Sequence, residues 1–156
     1  MLDTENYAVI LRSEAETLNL GADLATHINA PLIIWLQGDL GAGKTTLTRG
    51  LLLALGHHGA VKSPTYNIVE SYSFAQFNVN HFDLYRFQTP EEWLDAGLDE
   101  LIDSNSISLI EWPLQGEGYV PEPDIILNMM TIAQGRQVQF IAVSDHGKQT
   151  LAPIIK

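Results

Sequence analysis

The stretch Gly38-Asp39-Leu40-Gly41-Ala42-Gly43-Lys44-Thr45 has the form G-x-x-x-x-G-K-[ST]. Each fixed position has a physical task. The glycines Gly38, Gly41 and Gly43, with Ala42 between the last two, let the backbone curl so that successive amides point inward as a nest for phosphate oxygens. A helix starting near Lys44 adds the positive end of its dipole. The Lys44 ammonium is placed to neutralise β- and γ-phosphates, and the Thr45 hydroxyl to meet Mg²⁺. Thr46 follows, within reach of an α-phosphate or able to stabilise the first turn.

The flanks separate this loop from a chance glycine turn. Residues 31–36 form a continuous apolar run, which predicts a strand buried on both faces. Residues 45–55 read as a helix, with Gly56 placed to stop it. Strand, glycine loop and helix together open a βαβ unit. Upstream, Tyr7–Leu11 reads as a short strand and residues 13–29 as a helix with apolar Leu18, Ala22, Ala25 and Ile28. Ser13 and Glu16 have capping-box spacing. Downstream, residues 67–74 and 77–82 read as two strands joined by a short turn. Residues 90–102 read as a helix, with Pro90 in its first turn and Gly97 as a break. Ser106–Glu111 reads as a strand. Ile125–Ile132 and residues 137–143 read as a hairpin around Gln134-Gly135-Arg136, and from Gly147 the chain is a loose tail or a short final helix. The predicted fold is α/β: a P-loop NTPase-like sheet, parallel at its centre with antiparallel additions, and helices on both faces. A length of 156 residues fits one domain, residues 1–156, with a core of its own.

Charge narrows the ligand. Nineteen Asp and Glu against eight Lys and Arg give a net charge of -11. Such a chain repels phosphate backbones at long range, which argues against strong direct nucleic-acid binding and against anionic lipid. A small anion in a local positive pocket stays open, and four of the eight bases (Lys44, Arg49, Lys62 and Arg86) lie between positions 44 and 86. The absence of cysteine excludes disulfides, a cysteine nucleophile and thiolate metal sites. The apolar runs are too short to span a bilayer, and Asp3, Glu5, Glu14 and Glu16 replace the basic region of a signal peptide. The expected location is cytoplasmic.

A phosphate loop names neither base nor reaction. The N-K-x-D and D-x-x-G motifs of GTPases are absent, and four arginines are few for a kinase that clamps two phosphoryl groups. A P-loop ATPase needs a further acid at the end of a nearby strand. Glu111 ends the run 107–110, and Asp83 ends the run 79–82.

Four motifs occur in order: residues 38–46, Ser63-Pro64-Thr65-Tyr66, His81-Phe82-Asp83-Leu84-Tyr85-Arg86 and Glu111-Trp112-Pro113. Over residues 10–140 the chain thereby resembles the bacterial TsaE (YjeE) family, the small ATPase of tRNA threonylcarbamoyladenosine biosynthesis. The resemblance implies ATP binding with Mg²⁺ and slow hydrolysis to ADP. It implies partnership with TsaD and TsaB, which transfer threonylcarbamoyl to adenosine 37 of tRNAs reading ANN codons, and a role in resetting that complex between turnovers. By the same analogy Glu111 shares the metal with Thr45, and Lys44, Asp83 and Glu111 form the catalytic set.

Each residue also has a plainer reading. Glu111 also reads as a solvated strand-end carboxylate. Asp83 either orients water or the metal's outer shell, or is a structural partner of Arg86 or His81. Thr65 is a switch that senses the γ-phosphate or an ordinary loop hydroxyl, in a loop that Pro64 predicts to be extended. Trp112 is near the nucleotide, or a core or interface aromatic, and His81 reads as structural. Glu14 and Arg136 stand where family members approach adenine or ribose; otherwise Glu14 is a helix-start charge and Arg136 a solvated turn. The six acids between Glu91 and Asp103 are a solvated helix face or a docking surface for a basic partner. Two further functions stay open: a nucleotide-gated interaction module in which hydrolysis is incidental, and a small-molecule kinase.

Overall fold

The computed structural model describes residues 7–39 and 41–155. Their order is β1 (Tyr7–Leu11), α1 (Glu14–Ala25), β2 (Leu32–Gly38), α2 (Lys44–Ala54), β3 (Val69–Ser73), β4 (Asn78–Asp83), α3 (Glu92–Asp95), β5 (Ser106–Glu111), β6 (Ile125–Ile132), β7 (Gly135–Ala142) and α4 (Asp145–Leu151). The seven strands form one sheet in the order β1-β7-β6-β2-β5-β4-β3. The four central strands, β6, β2, β5 and β4, are parallel. β7 and β1 extend one edge antiparallel, and β3 extends the other. The expected α/β sheet, parallel at its centre, is what the chain forms.

Helices cover both faces unequally. On one face Leu20 and Leu24 of α1 and Leu47, Leu51 and Leu52 of α2 pack against Leu32, Ile34, Leu36, Ile107 and Leu109 of the sheet. The other face is closed by a smaller group around Trp93, with Phe82, Leu84, Phe87, Leu98 and Ile110. The thin second layer explains a difference from the expected burial of β2. Leu32, Ile34 and Leu36 are buried, while Ile33 and Trp35 on the second face are half-buried. The strand buried along its whole length is β5.

Other boundaries shifted for local reasons. Ser13 caps α1 by accepting from the Glu16 amide at 3.1 Å, while Glu16 Oε1 accepts from the Arg12 amide at 3.1 Å, so the box closes one residue early. α1 stops at Ala25, where the Thr26 hydroxyl and the His27 ring both turn back onto the Asp23 carbonyl. The helix expected over 90–102 is broken. Gly97, at φ 71°, separates α3 from a 3₁₀ turn at Leu98–Leu101. Pro64 starts a turn rather than an extended loop: the Ile68 amide donates to the Pro64 carbonyl at 2.8 Å, and β3 starts only at Val69. The tail forms α4, capped by Ser144. Among the described residues no helix is long and apolar enough to cross a membrane.

Two features of this fold position the site. The parallel strands β2, β5 and β4 end together, with Leu36 opposite Glu111 and Glu111 opposite Asp83. Helix α2 starts directly after the glycine loop that leaves β2.

Candidate functional site

The glycine loop has the backbone that its sequence requires. Gly43, at φ 101°, caps α2 in the left-handed region, and no side chain caps the first amides of the helix. A Cβ on Gly38 would collide with the Met129 carbonyl of β6. Ala42 is fully buried, and its amide donates to the Asp39 carbonyl at 3.1 Å. Leu40 lies outside the described residues.

In front of this loop is a cleft of about 270 Å³ at the carboxyl ends of the parallel strands. Gly41, Gly43, Lys44, Thr45, Thr46, Ser63, Thr65, Asp83, Glu111 and Arg136 line it. The fold thus gathers most of the sequence candidates, from five separate segments, into one place, while Glu14, Gly38, Ala42 and Trp112 stand outside its lining.

Lys44 is the hub. Its ammonium donates to the Gly38 carbonyl at 2.6 Å, stands 3.8 Å from Glu111 Oε1 and lies 4.4 Å from the centre of the Trp112 ring. Burial lowers its pKa, against the opposing pull of the Glu111, Asp83 and Asp39 carboxylates. Glu111 is 4% exposed, so it is not a solvated strand end. Its other oxygen, Oε2, meets His81 Nε2 at 2.5 Å.

Asp83 accepts from the Tyr85 amide at 2.9 Å on Oδ1 and from the Thr65 hydroxyl at 3.2 Å on Oδ2. Burial raises its carboxyl pKa; the Glu111 charge adds to this, while the hydrogen bonds and His81 oppose it. Thr65 also meets the Ser63 hydroxyl at 2.8 Å, so the turn after Pro64 is tied to the end of β4. Arg86 lies over the exposed Tyr66 ring at 4.3 Å.

Trp112 adopts φ 56° and ψ 49°, a strained conformation for a bulky residue and one that recurs at functional sites. Its ring sits between the Lys44 ammonium and the Tyr85 ring, 5.0 Å away.

Glu14 and Arg136 meet at a second cleft of about 160 Å³, which shares Gly43, Thr46 and Arg136 with the first. Arg136 stands within β7 opposite Leu11, half-buried rather than on a solvated turn. Glu14 is exposed and pairs with Arg49 of α2 at 2.8 Å. Arg12, Ser13 and Thr17 also line this cleft, and the sequence reading did not single out Arg12 or Thr17 for it. Thr17 lies one helical turn beyond Glu14, which is the signal that was available. His81 likewise lies two residues before Asp83, on the same face of β4. Of the six acids between Glu91 and Asp103, Glu92 accepts from the Thr89 amide at 2.9 Å and Asp103 from the Asn105 amide at 2.9 Å.

The donor set bears on which metal could sit here. Among the described residues no three His, Cys, Asp or Glu side chains cluster as an all-protein metal site. Glu111 and the Thr45 hydroxyl share the cleft with the loop amides. Mg²⁺ usually takes one or two carboxylates plus substrate phosphates rather than a protein cage, so these residues fit a phosphate-bridged ion.

A glycine loop opening a helix, carboxylates on the neighbouring parallel strands, and this sheet order define an α/β protein of the P-loop type. The family model described as "Threonylcarbamoyl adenosine biosynthesis protein TsaE" matches residues 11–138. The chain is 45% identical to the tRNA threonylcarbamoyladenosine biosynthesis protein TsaE of Haemophilus influenzae over 129 residues, 83% of this chain and 82% of that protein. It is 38% identical to the protein of that name from Borreliella burgdorferi over 130 residues, 82% of this chain and 94% of the relative. The crystal structure of YdiB from Bacillus subtilis superposes with a TM-score of 0.78 at 25% identity, covering 96% of this chain and 92% of YdiB. The chain belongs to the TsaE family of tRNA threonylcarbamoyladenosine biosynthesis.

Proposed function

We propose that the chain binds ATP with Mg²⁺, hydrolyses it slowly, and in the cytoplasm resets the TsaD–TsaB complex between rounds of tRNA threonylcarbamoyladenosine modification. One observation carries the reading: Lys44, Thr45, Thr65, Asp83 and Glu111 line a single cleft around the glycine loop. The loop amides and Lys44 hold the phosphates, with Thr46 beside the second cleft, where Glu14 and Arg136 meet adenine or ribose. Thr45 and Glu111 hold the ion, which supplies charge neutralisation on the phosphate oxygens. In hydrolysis a water oxygen bonds to the γ-phosphorus as the bond to the bridging oxygen of ADP breaks. Asp83 is placed to orient that water and take its proton, and the burial that raises its pKa makes it a better base. Thr65, bonded to Asp83, is placed to link the γ-phosphate to the turn that carries Tyr66.

The test is phosphate release with and without TsaD–TsaB, for the parent and Glu111→Gln. Slow release, stimulation by the pair, and loss of turnover with retained ATP binding in the variant are expected. Equal release with and without the pair would remove the resetting role. A Glu111→Gln chain that still supports repeated tRNA modification would leave nucleotide binding as the gate and hydrolysis as incidental.

A further inference from the structure

His81 is fully buried in β4, between Asn80 and Phe82, and faces Leu109 across the parallel register. A core position of this kind is ordinarily filled by an apolar side chain. Here the imidazole brings two polar atoms. Nε2 meets Glu111 Oε2 at 2.5 Å, and Nδ1 has no hydrogen-bond partner among the described residues. A buried nitrogen without a partner is unfavourable, so packing alone does not account for a histidine. An ionised carboxylate only accepts, so Nε2 is the donor in this contact.

This contact divides the two oxygens of Glu111. Oε2 is held inside the protein by His81, and Oε1 is the oxygen on the Lys44 side, 3.8 Å from the ammonium. The carboxylate therefore cannot turn both oxygens outward without losing its buried donor. We infer that His81 is a positioning residue that makes Glu111 a one-oxygen ligand, so that the site favours small octahedral cations over larger ones. This rests on the reading of Glu111 as a metal ligand given above.

The chemistry follows from coordination preferences. Mg²⁺ takes near-ideal octahedral geometry at about 2.1 Å and is served by single oxygens, whereas Ca²⁺ accepts six to eight oxygens at about 2.3–2.6 Å, including both from one carboxylate. A Glu111 released from His81 can offer both. Partners that orient a ligating side chain typically change metal affinity by about 10–100-fold when removed.

The experiment measures ATP binding to the full chain by calorimetry, in EDTA and across titrations of MgCl₂ and CaCl₂. It compares the parent, His81→Leu, His81→Gln and Glu111→Gln. His81→Leu is expected to raise the half-saturating Mg²⁺ concentration by about tenfold or more, to shift Ca²⁺ less, and to leave metal-free ATP binding unchanged. His81→Gln places an amide N–H the same number of bonds from the backbone and recovers most of the loss. If His81→Leu does not fold, His81→Asn, whose donor is one bond short, takes its place. Unchanged Mg²⁺ dependence overturns the inference, and so does equal weakening of Mg²⁺-, Ca²⁺- and metal-free binding. If Glu111→Gln shifts the Mg²⁺ dependence and the His81 variants do not, only the role of His81 fails. If Glu111→Gln shifts nothing, the ligand reading of Glu111 itself fails.

Discussion

Gly50→Ala sets two effects of opposite sign against each other. Gly50 lies in α2, and alanine in a helix is favoured over glycine by about 1 kcal/mol. Its Cβ, however, would sit 2.8 Å from Leu18 Cα and 2.9 Å from the Leu18 carbonyl carbon, with the carbonyl oxygen nearer still. Non-bonded carbons settle at about 3.5–4.0 Å, so α1 and α2 must part by roughly 1 Å. Every one of those neighbours is backbone, and no rotamer change relieves the overlap. Gly21 closes the same contact from the other side, since its Cβ would sit 2.7 Å from the Leu51 amide nitrogen. A gap of about 1 Å forfeits up to half of each dispersion contact between the facing leucines, and overpacking costs about 1–3 kcal/mol. Rigid neighbours place this case near 3 kcal/mol, and subtracting the helix gain leaves about 2 kcal/mol of net destabilisation. For a chain of this size that is a fall in the melting midpoint of roughly 4–8 °C.

Thermal melting of the ligand-free chain reads this directly. Asn19→Ala, on the exposed side of α1, isolates the propensity term and should raise the midpoint slightly. Gly21→Ala with Gly50→Ala should cost less than the sum, because the first change already parts the helices. ATP affinity should fall with Gly50→Ala as well, since Lys44 and Thr45 begin the same helix. A midpoint at or above the parent's would refute the argument, because propensity alone would then account for the result.

Lys44→Met should abolish ATP binding, and retained affinity would remove the glycine-loop reading. Burial lowers the Lys44 pKa, so the unfolded chain binds the more protons between the lowered value and 10.5, and parent stability rises with pH there. Melting of the Met variant should lack that rise. Asp83→Asn should keep ATP binding and lose turnover. The raised Asp83 carboxyl contributes stability that is full below 3.8 and is lost as pH climbs through its folded value. Melting against pH should therefore be flatter for the Asn variant across that interval, and a curve parallel to the parent's would reject the assignment. Trp112 lies against Lys44, so ATP should change the intrinsic fluorescence, and Trp112→Phe should remove the change although Trp35 and Trp93 remain.

The parts of this molecule that were legible in its sequence are those set by local physics. The apolar run before Gly38, the left-handed glycine before Lys44 and the Ser13 cap each act within a few residues, and each stands where the sequence places it. Motif order also brought Lys44, Thr45, Thr65, Asp83 and Glu111 forward as one set. What stayed hidden depends on strand order and register. Only when β5 lies between β2 and β4 do Glu111 and Lys44 face each other, and only the β4–β5 register brings His81 to Glu111. The break at Gly97 was legible from the glycine itself, but its purpose was not. Acids at helical spacing between Glu91 and Asp103 suit a helix, but Trp93 and Leu98 both turn into the second core, and the chain bends between them to do so.

The acidic excess bears on how the cleft must operate. Its lining includes one ammonium and one guanidinium, Lys44 and Arg136, against two carboxylates, Asp83 and Glu111. When all four are ionised these charges cancel, and the rest of the chain is strongly negative. A nucleotide with several negative charges therefore gains little from side-chain charge alone. The loop amides and the start of α2 supply attraction at short range, but they do not offset repulsion from the whole chain. A divalent cation entering with the nucleotide would reverse the balance, because it would lower the ligand's charge and give Glu111 a further partner beside Lys44 and His81. The proposed role of metal is then electrostatic before it is catalytic. It should appear in binding as well as in turnover, and weaken as salt screens the chain's field.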